Sequence, residues 1–323
     1  MNRFLRTQHA VLFLTVCSLA ALPACGDKDD TGSGGDSDAD TDTDSDADAD
    51  TDSDTDTDTD TDTDTDTDTD ADLSGLTLTP SAAEITTRDV VTWTVTASYT
   101  DGSEEDVTVD ATLTSSDEAV LKLYATDEGQ PLWEGTADLI AEFGGQEAAE
   151  TITVTTALVD AGDLVVNELL ADGTVEGDPN GDGSQDAVED EFIELVNVGL
   201  ATVDLSGVTI SEQVFPFQPR HTFPAGTVLR AGEAIVVFGG GDLSALSTDN
   251  TSFQLVDNSD AGTLFGLSLT NDGNKVTLTS ADAATVLATL AYGTSSTDGS
   301  VPAAADQSIV LDPDMTGTAY VEH

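Results

Sequence analysis

The sequence predicts an all-β protein built as two tandem domains behind a disordered Thr-Asp-rich linker. Three observations carry this expectation. Short runs rich in Val, Thr, Ile and Leu recur between Gly, Asp and Asn turn residues from Leu73 onward, and no window of a dozen residues keeps a helical period. The roughly 250 residues of that stretch suit two domains of ordinary size. Ahead of it, residues 36 to 72 place an aspartate at every even position, a composition with almost nothing apolar to bury.

At the N-terminus, Arg3 and Arg6 form a basic start and Val11 to Leu22 an apolar stretch too short to span a bilayer. Small residues then precede Cys25, the pattern of a cleavable secretory signal, so residues 1–24 are expected to be removed. Leu22-Pro23-Ala24-Cys25 resembles the lipobox of bacterial lipoproteins through Leu22, Ala24 and Cys25. That resemblance implies cleavage before Cys25, diacylglycerol on its sulfur, and membrane attachment through the lipid. Gly26 rather than Asp after the cysteine implies, in such lipoproteins, export to the outer membrane; the expected location is the outer membrane or cell surface of a bacterium, with surface exposure itself not encoded. Cys17 lies within the signal, so the mature chain keeps one cysteine and no disulfide framework.

Residues 25–72 read as the lipidated cysteine and its acidic tether. The segment cannot offset the entropy of ordering itself and is expected to be disordered. Successive carboxylates about 6 to 7 Å apart along an extended chain lie inside the roughly 8 Å Debye length, so they repel and stiffen it. Gly26 to Asp72 could then reach on the order of 140 Å at about 3.1 Å per residue. A spacer that clears a membrane is the simplest role; diffuse calcium collection by the aspartates and glycosylation of the threonines are sharper alternatives.

Of the 64 acidic residues, 22 lie between Asp27 and Asp72, leaving 42 against five basic residues, Arg88, Lys122, Arg220, Arg230 and Lys275, in positions 73 to 323. Direct binding of nucleic acid or of an anionic membrane surface is electrostatically opposed. Cations, surface proteins and glycans remain open as partners.

Within residues 73–158 the clearest strand is Val91 to Tyr99, where odd positions are apolar and even ones are Thr or Ser, so one face is core and the other wet. Asp101-Gly102 supplies a turn, and further strands are expected over Val107 to Leu113, Ala137 to Phe143 and Glu150 to Thr155. The alternation assigns Trp93 to the core rather than to a sugar-binding platform. Leu76-Thr77-Leu78-Thr79-Pro80, the strand through Trp93, Ser115-Ser116-Asp117-Glu118-Ala119-Val120 and Thr151-Ile152-Thr153-Val154 together resemble a bacterial immunoglobulin-like group 2 domain. The resemblance implies a β-sandwich used as a spacer or adhesive module. Ala161-Gly162 marks the expected boundary.

Beyond it, in residues 162–323, Asp163 to Leu170 is followed by Glu191 to Asn197, Val203 to Gly207, Phe223 to Leu229 and Ala231 to Phe238. This succession resembles a lamin tail domain. It implies a second immunoglobulin-like sandwich, of a kind found in bacteria on secreted or surface proteins, sometimes beside nuclease or phosphatase domains.

Between the first two of those strands, Asp178-Pro179-Asn180-Gly181-Asp182-Gly183-Ser184-Gln185-Asp186-Ala187-Val188-Glu189 fits a calcium-loop pattern. Asp178, Asn180 and Asp182 occupy positions 1, 3 and 5, Gly183 position 6, Asp186 position 9 and Glu189 position 12. Calcium takes six to eight hard oxygens; the acids and Asn180 supply side chains, Ser184 a backbone carbonyl, and Glu189 a bidentate carboxylate. With no helical period on either side, the loop resembles those of dockerin-like or thrombospondin-like repeats, and its expected role is structural. The bland alternative is a solvated acidic turn.

Catalytic signatures are sparse. His221 is the only interior histidine of the mature chain, and there is no Gly-x-Ser-x-Gly elbow, phosphate loop or histidine cluster. Glu168 and Glu194 could be imagined as a glycosidase pair, but both sit in strand motifs. Asn271 to Asn274 and Asp257 to Asp260 read as hairpin turns. The sequence therefore predicts a non-enzymatic, lipid-anchored protein for binding, adhesion or display. A periplasmic or envelope-structural lipoprotein, or an accessory partner of an extracellular hydrolase, is the alternative.

Overall fold

The computed structural model describes residues 71–323 except 175–176, 215, 217, 249–250, 257–265, 298–299 and 305–306. The signal segment, the lipobox with Cys25, the acidic run and the turn read at Asp257 to Asp260 lie outside the described residues. What is described is all-β, relieved by two single-turn 3-10 segments at Leu243–Ala245 and Gly293–Ser295.

In the first sandwich, one sheet pairs Leu73–Pro80 with Val91–Tyr99, which continues to Glu128–Pro131 and then Leu121–Leu123, with Glu104–Asp106 also pairing Val91–Tyr99. The other runs Glu84–Thr86, Gln146–Thr155, Gly135–Phe143, Thr112–Ser115. Val91–Tyr99 has the expected limits, and its odd positions through Ala97 are buried while its even positions are exposed or half-buried. Those residues meet Leu121, Leu139 and Ile152 in one core. Trp93 lies in that core, its Nε1–H donating to the Thr126 carbonyl at 2.9 Å.

Of the strand expected over Val107 to Leu113 only Thr112 and Leu113 form one, as the start of Thr112–Ser115, and Val107 to Ala111 do not. Pairing with Val91–Tyr99 stops at Asp106, whose carboxylate accepts from the Thr108 N–H (3.0 Å) and hydroxyl (2.6 Å). The Asp110 and Ala111 amides then turn back onto the Val107 carbonyl. A local Asx turn outcompetes the strand that the Val107 and Val109 alternation suggested. The Thr108 hydroxyl accepts the Val95 N–H that a neighbouring strand would otherwise have taken.

The second sandwich packs a six-stranded sheet, ordered Thr251–Leu255, Ala234–Phe238, Phe192–Asn197, Leu164–Leu170, Ile309–Asp312, Ala319–Glu322, against a four-stranded one, His221–Thr222, Thr209–Glu212, Lys275–Thr279, Val286–Ala291. Ile193, Leu195, Ile210, Phe223, Leu278 and Tyr292 fill the space between them. The six-stranded sheet is buried on its outer face too. There Phe192, Phe238 and Phe253 stack with ring centroids 5.7 and 6.3 Å apart, and Leu243 and Leu246 pack against the cluster. This accounts for Ala234–Phe238 being apolar and buried throughout instead of alternating.

Where the two sandwiches meet, Ala157–Leu158 pairs in parallel with Val203–Asp204. Thr87 is 1% exposed; its hydroxyl donates to the Thr202 carbonyl (2.6 Å) and accepts the Ala157 N–H (2.9 Å). Thr202 answers by donating to the Leu132 carbonyl (2.9 Å). Arg88 grips both oxygens of Asp163 at 2.7 and 3.2 Å, and Arg230 lies 4.3 Å over the Trp133 ring. Thr87→Val removes a donor and an acceptor together and strands a buried amide. Urea unfolding should show a loss of about 1–3 kcal/mol for it, with Thr87→Ser close to wild type. A loss of Thr87→Val stability below about 0.5 kcal/mol would show that the junction does not depend on this hydroxyl.

Candidate metal site and the buried acids of the second sandwich

The loop predicted to bind calcium leaves the sheet after Leu164–Leu170 and returns at Phe192, folded on its own acidic side chains. Asp178 accepts the Asp182 N–H at 3.1 Å and the Gly183 N–H at 2.8 Å. Asn180, 1% exposed, takes the Asp182 N–H on its amide oxygen (3.0 Å) and donates to the Gly240 carbonyl (3.3 Å). Asp182 accepts from Ser184 N–H (2.7 Å), and Asp186 from the Val188 and Glu189 amides (2.9 and 3.1 Å). Of the six predicted ligands, Asp178, Asn180 and Asp182 are thus gathered at one end of the loop. Ser184, Asp186 and Glu189 are exposed, and Asp186 turns its carboxylate onto its own backbone.

Two features were not foreseen. The first is Asp190, one residue past the predicted position 12 and 1% exposed. Its Oδ2 accepts the Asp186 N–H at 2.7 Å, while its Oδ1 is buried without a hydrogen-bond partner among the described residues. Burial above all, then the like charges of Asp178 and Asp182, push its pKa up to about 6 against the pull of the Asp186 and Asn180 amides. The second is the glycine triplet Gly239-Gly240-Gly241 on which the loop rests. A Cβ at these positions would lie 1.9 Å from the Val188 carbonyl oxygen, 2.8 Å from Glu189 Cγ and 2.2 Å from Asn180 Nδ2. The Gly239 and Gly240 amides donate to the Glu191 and Glu189 carbonyls at 2.8 and 3.1 Å. Three consecutive glycines directly after an apolar strand were the legible signal that another backbone approaches there.

An orphaned buried carboxylate oxygen beside hard oxygen donors is the chemistry a divalent cation satisfies. Among the described residues, no group of three or more Asp, Glu, His or Cys side chains is already gathered for a metal.

Glu191 follows at 4% exposure, its Oε1 accepting the Leu269 N–H (3.1 Å) and its Oε2 buried without a partner among the described residues. Burial pushes its pKa up to about 8. Glu168 and Glu194 stand directly opposite each other across the 164–170 and 192–197 strands. Glu168 accepts from the Ser308 hydroxyl (2.6 Å) and pairs with His323 (3.0 Å), and Glu194 accepts from Asn167 (2.6 Å), whose amide oxygen holds the Met315 N–H (2.9 Å). These contacts fasten the Ile309–Glu322 hairpin to the sheet.

The lamin tail domain family model matches residues 158–294. No curated protein matches the chain. Among solved structures, domains 4 and 5 of the S-layer protein SbsC are 14% identical, covering 65% of this chain and 94% of that one at a TM-score of 0.23. The longer rSbsC(31-844) is 11% identical, covering 78% and 32% at 0.24. A DUF4876 family protein from Bacteroides thetaiotaomicron VPI-5482 is 12% identical, covering 59% and 53% at 0.26. At these scores the structural likenesses carry no argument about what the chain does.

Burial, followed by the like charges of Glu168 and Asp314, raises the Glu194 pKa to about 7 from its ordinary 4.5. Between those values the folded protein holds a proton that the unfolded chain has lost, so stability falls as pH rises from about 4.5 to about 7. Glu194→Gln should flatten that decline and be the more stable protein at pH 8, by on the order of 1–3 kcal/mol. Chemical denaturation of both proteins at pH 5 and pH 8 measures the difference, and parallel profiles would contradict it. Gly239→Ala, which drives a methyl into the Val188 carbonyl, should lose about 1–3 kcal/mol in the same assay.

Proposed function

We propose that this chain is a non-enzymatic, lipid-anchored surface protein of a bacterium. Its acidic tether displays two immunoglobulin-like sandwiches for binding or adhesion, and calcium stabilises the second. In this reading residues 1–24 are a lipoprotein signal, 25–72 the lipidated cysteine and tether, 73–158 a group 2 immunoglobulin-like domain and 162–323 a lamin tail domain.

The observation that carries it is the order of parts along the chain. An apolar leader ends at a lipidatable Cys25, a run of aspartates too charged to fold follows, and then comes a body whose two cores are tied together by Thr87, Arg88 and Trp133. A self-repelling spacer ahead of a firmly joined pair of sandwiches suits display at a distance from the bilayer better than turnover of a substrate. The engagement of Glu168 and Glu194 in fastening a hairpin supports the non-catalytic reading, because a glycosidase pair must keep both carboxylates free to face a sugar. Partners are a surface protein or a glycan, reached through loops that carry no readable code.

Protease treatment of intact cells tests display: release of the sandwiches supports it, whereas full protection would favour a periplasmic envelope role and overturn it. Cys25→Ser should shift the protein from the membrane to the soluble fraction. Asp182→Ala should lower the melting temperature in calcium and leave it unchanged in chelator, and an unchanged melt in calcium would contradict the structural-ion reading.

A further inference from the structure

We propose that the Thr251–Leu255 edge of the second sandwich is a strand-acceptor site, which takes an extended basic polypeptide with apolar side chains at alternate positions. This rests on the binding reading above and names the kind of partner and the place where it sits.

Thr251–Leu255 is the end strand of the six-stranded sheet, paired in parallel with Ala234–Phe238. The Val256 N–H donates to the Phe238 carbonyl at 3.0 Å, which sets the alternation. Ser252 and Gln254 therefore turn their backbone groups toward Ala234–Phe238, and Thr251, Phe253 and Leu255 turn theirs outward. Among the described residues nothing bonds to those three outward amides. A row of unpaired N–H and carbonyl groups is a template for another strand.

Native edges are blunted by charge, by proline or by a covering segment. The opposite edge of this sheet, Ala319–Glu322, carries Glu322; in the first sandwich Glu104–Asp106 is wholly acidic and Leu121–Leu123 carries Lys122. Thr251-Ser252-Phe253-Gln254-Leu255 has neither charge nor proline. Ser252 is exposed and Leu255 is 42% exposed, so the strand is not covered.

The two sides of the edge differ. On the outer face of the sheet Phe253 stacks on Phe238 at 6.3 Å, and Leu243 and Leu246 pack against the same cluster. Apolar side chains of an added strand, about 4.7–4.9 Å away, would land beside that strip. On the other side Gln254 meets His221 Nε2 at 2.8 Å and the Thr227 hydroxyl at 3.2 Å, which suits polar side chains. Charge then selects among extended partners. With 42 acids against five basic residues beyond position 72, a second copy of this chain is repelled and a segment bearing Lys or Arg is attracted. Backbone hydrogen bonds supply the affinity of such an addition, and the alternate side chains its specificity.

The test titrates the full-length chain, at physiological salt, with a fluorescent peptide in which valine and lysine alternate. Wild type should bind it saturably. Leu255→Lys, which adds charge at an exposed edge position and leaves the core alone, should weaken binding at least about tenfold. Methylating the backbone nitrogens of either the valines or the lysines keeps every side chain and charge of the peptide. Because a paired strand turns alternate amides toward its neighbour, one methylated peptide should bind like the parent and the other should lose at least about tenfold.

Two methylated peptides that bind alike, a Leu255→Lys chain that binds like wild type, or a wild-type chain that binds none of the peptide would each overturn the proposal. So would self-association of the chain in sedimentation that Leu255→Lys abolishes, because the occupant would then be a second copy. Protection of the sandwiches from protease on intact cells beside an intact peptide response would overturn display and keep the acceptor edge.

Discussion

The two sandwiches depend on how buried carboxylates are satisfied when positive charge is scarce. With 42 acids against five basic residues beyond position 72, few buried acids can have a cationic partner. Arg220 is buried with Glu212 at 2.9 Å inside the second sandwich, and Arg88 holds Asp163 at the junction. In Asp163, burial and the Arg88 pairing oppose each other and the pairing wins, holding the carboxyl below its usual value. The other buried acids rely on backbone amides, on Asn side chains, or on keeping a proton. Burial pushes the carboxyls of Asp190, Glu191 and Glu194 upward, and the loop carboxylates of Asp178, Asp182 and Asp186 fold back onto nearby backbone N–H groups.

The same scarcity shapes the join between the sandwiches. The Thr87–Thr202 exchange of hydroxyls and carbonyls uses no charge at all, and the two arginines present carry the rest. One closes a bidentate pair with Asp163, and the other lies flat on Trp133. A junction made this way tolerates salt better than one built from exposed ion pairs, because its hydroxyl contacts are buried and short.

Much of the architecture was legible because strands announce themselves by alternation. Val91–Tyr99 could be read to its limits in this way, whereas Leu164–Leu170, Phe192–Asn197 and Ala234–Phe238, whose burial does not alternate, were marked only by the succession that resembles a lamin tail domain. Where local polar chemistry competes with pairing, the pattern misleads. Val107 to Ala111 continues the alternation yet turns, since Asp106 captures the Thr108 amide and hydroxyl, and the strand starts only at Thr112. Leu121–Leu123 and Glu128–Pro131 were too short and too mixed in composition to stand out. The loop of residues 178–189 shows a spacing of Asp, Asn and Gly in the sequence, but a spacing assumes a regular path for the backbone. Resting on Gly239 to Gly241, this backbone buries Asp190 and leaves Glu189 exposed.

The sequence alone determined the quantities that depend on composition and period: an all-β body, the core face of Val91–Tyr99, the charge excess, and the run of aspartates from residue 36 to 72. Composition and period can be summed along the chain without knowing its path. The tertiary structure alone decided which acids lose water and what meets them there. That Asp190 is enclosed while Glu189 is exposed, that Glu194 faces Glu168, and that Thr87 answers Thr202 are consequences of segments distant in sequence converging. The protonation and bonding of a buried polar group follow from its neighbours in space, and those neighbours are fixed only when the sheets close.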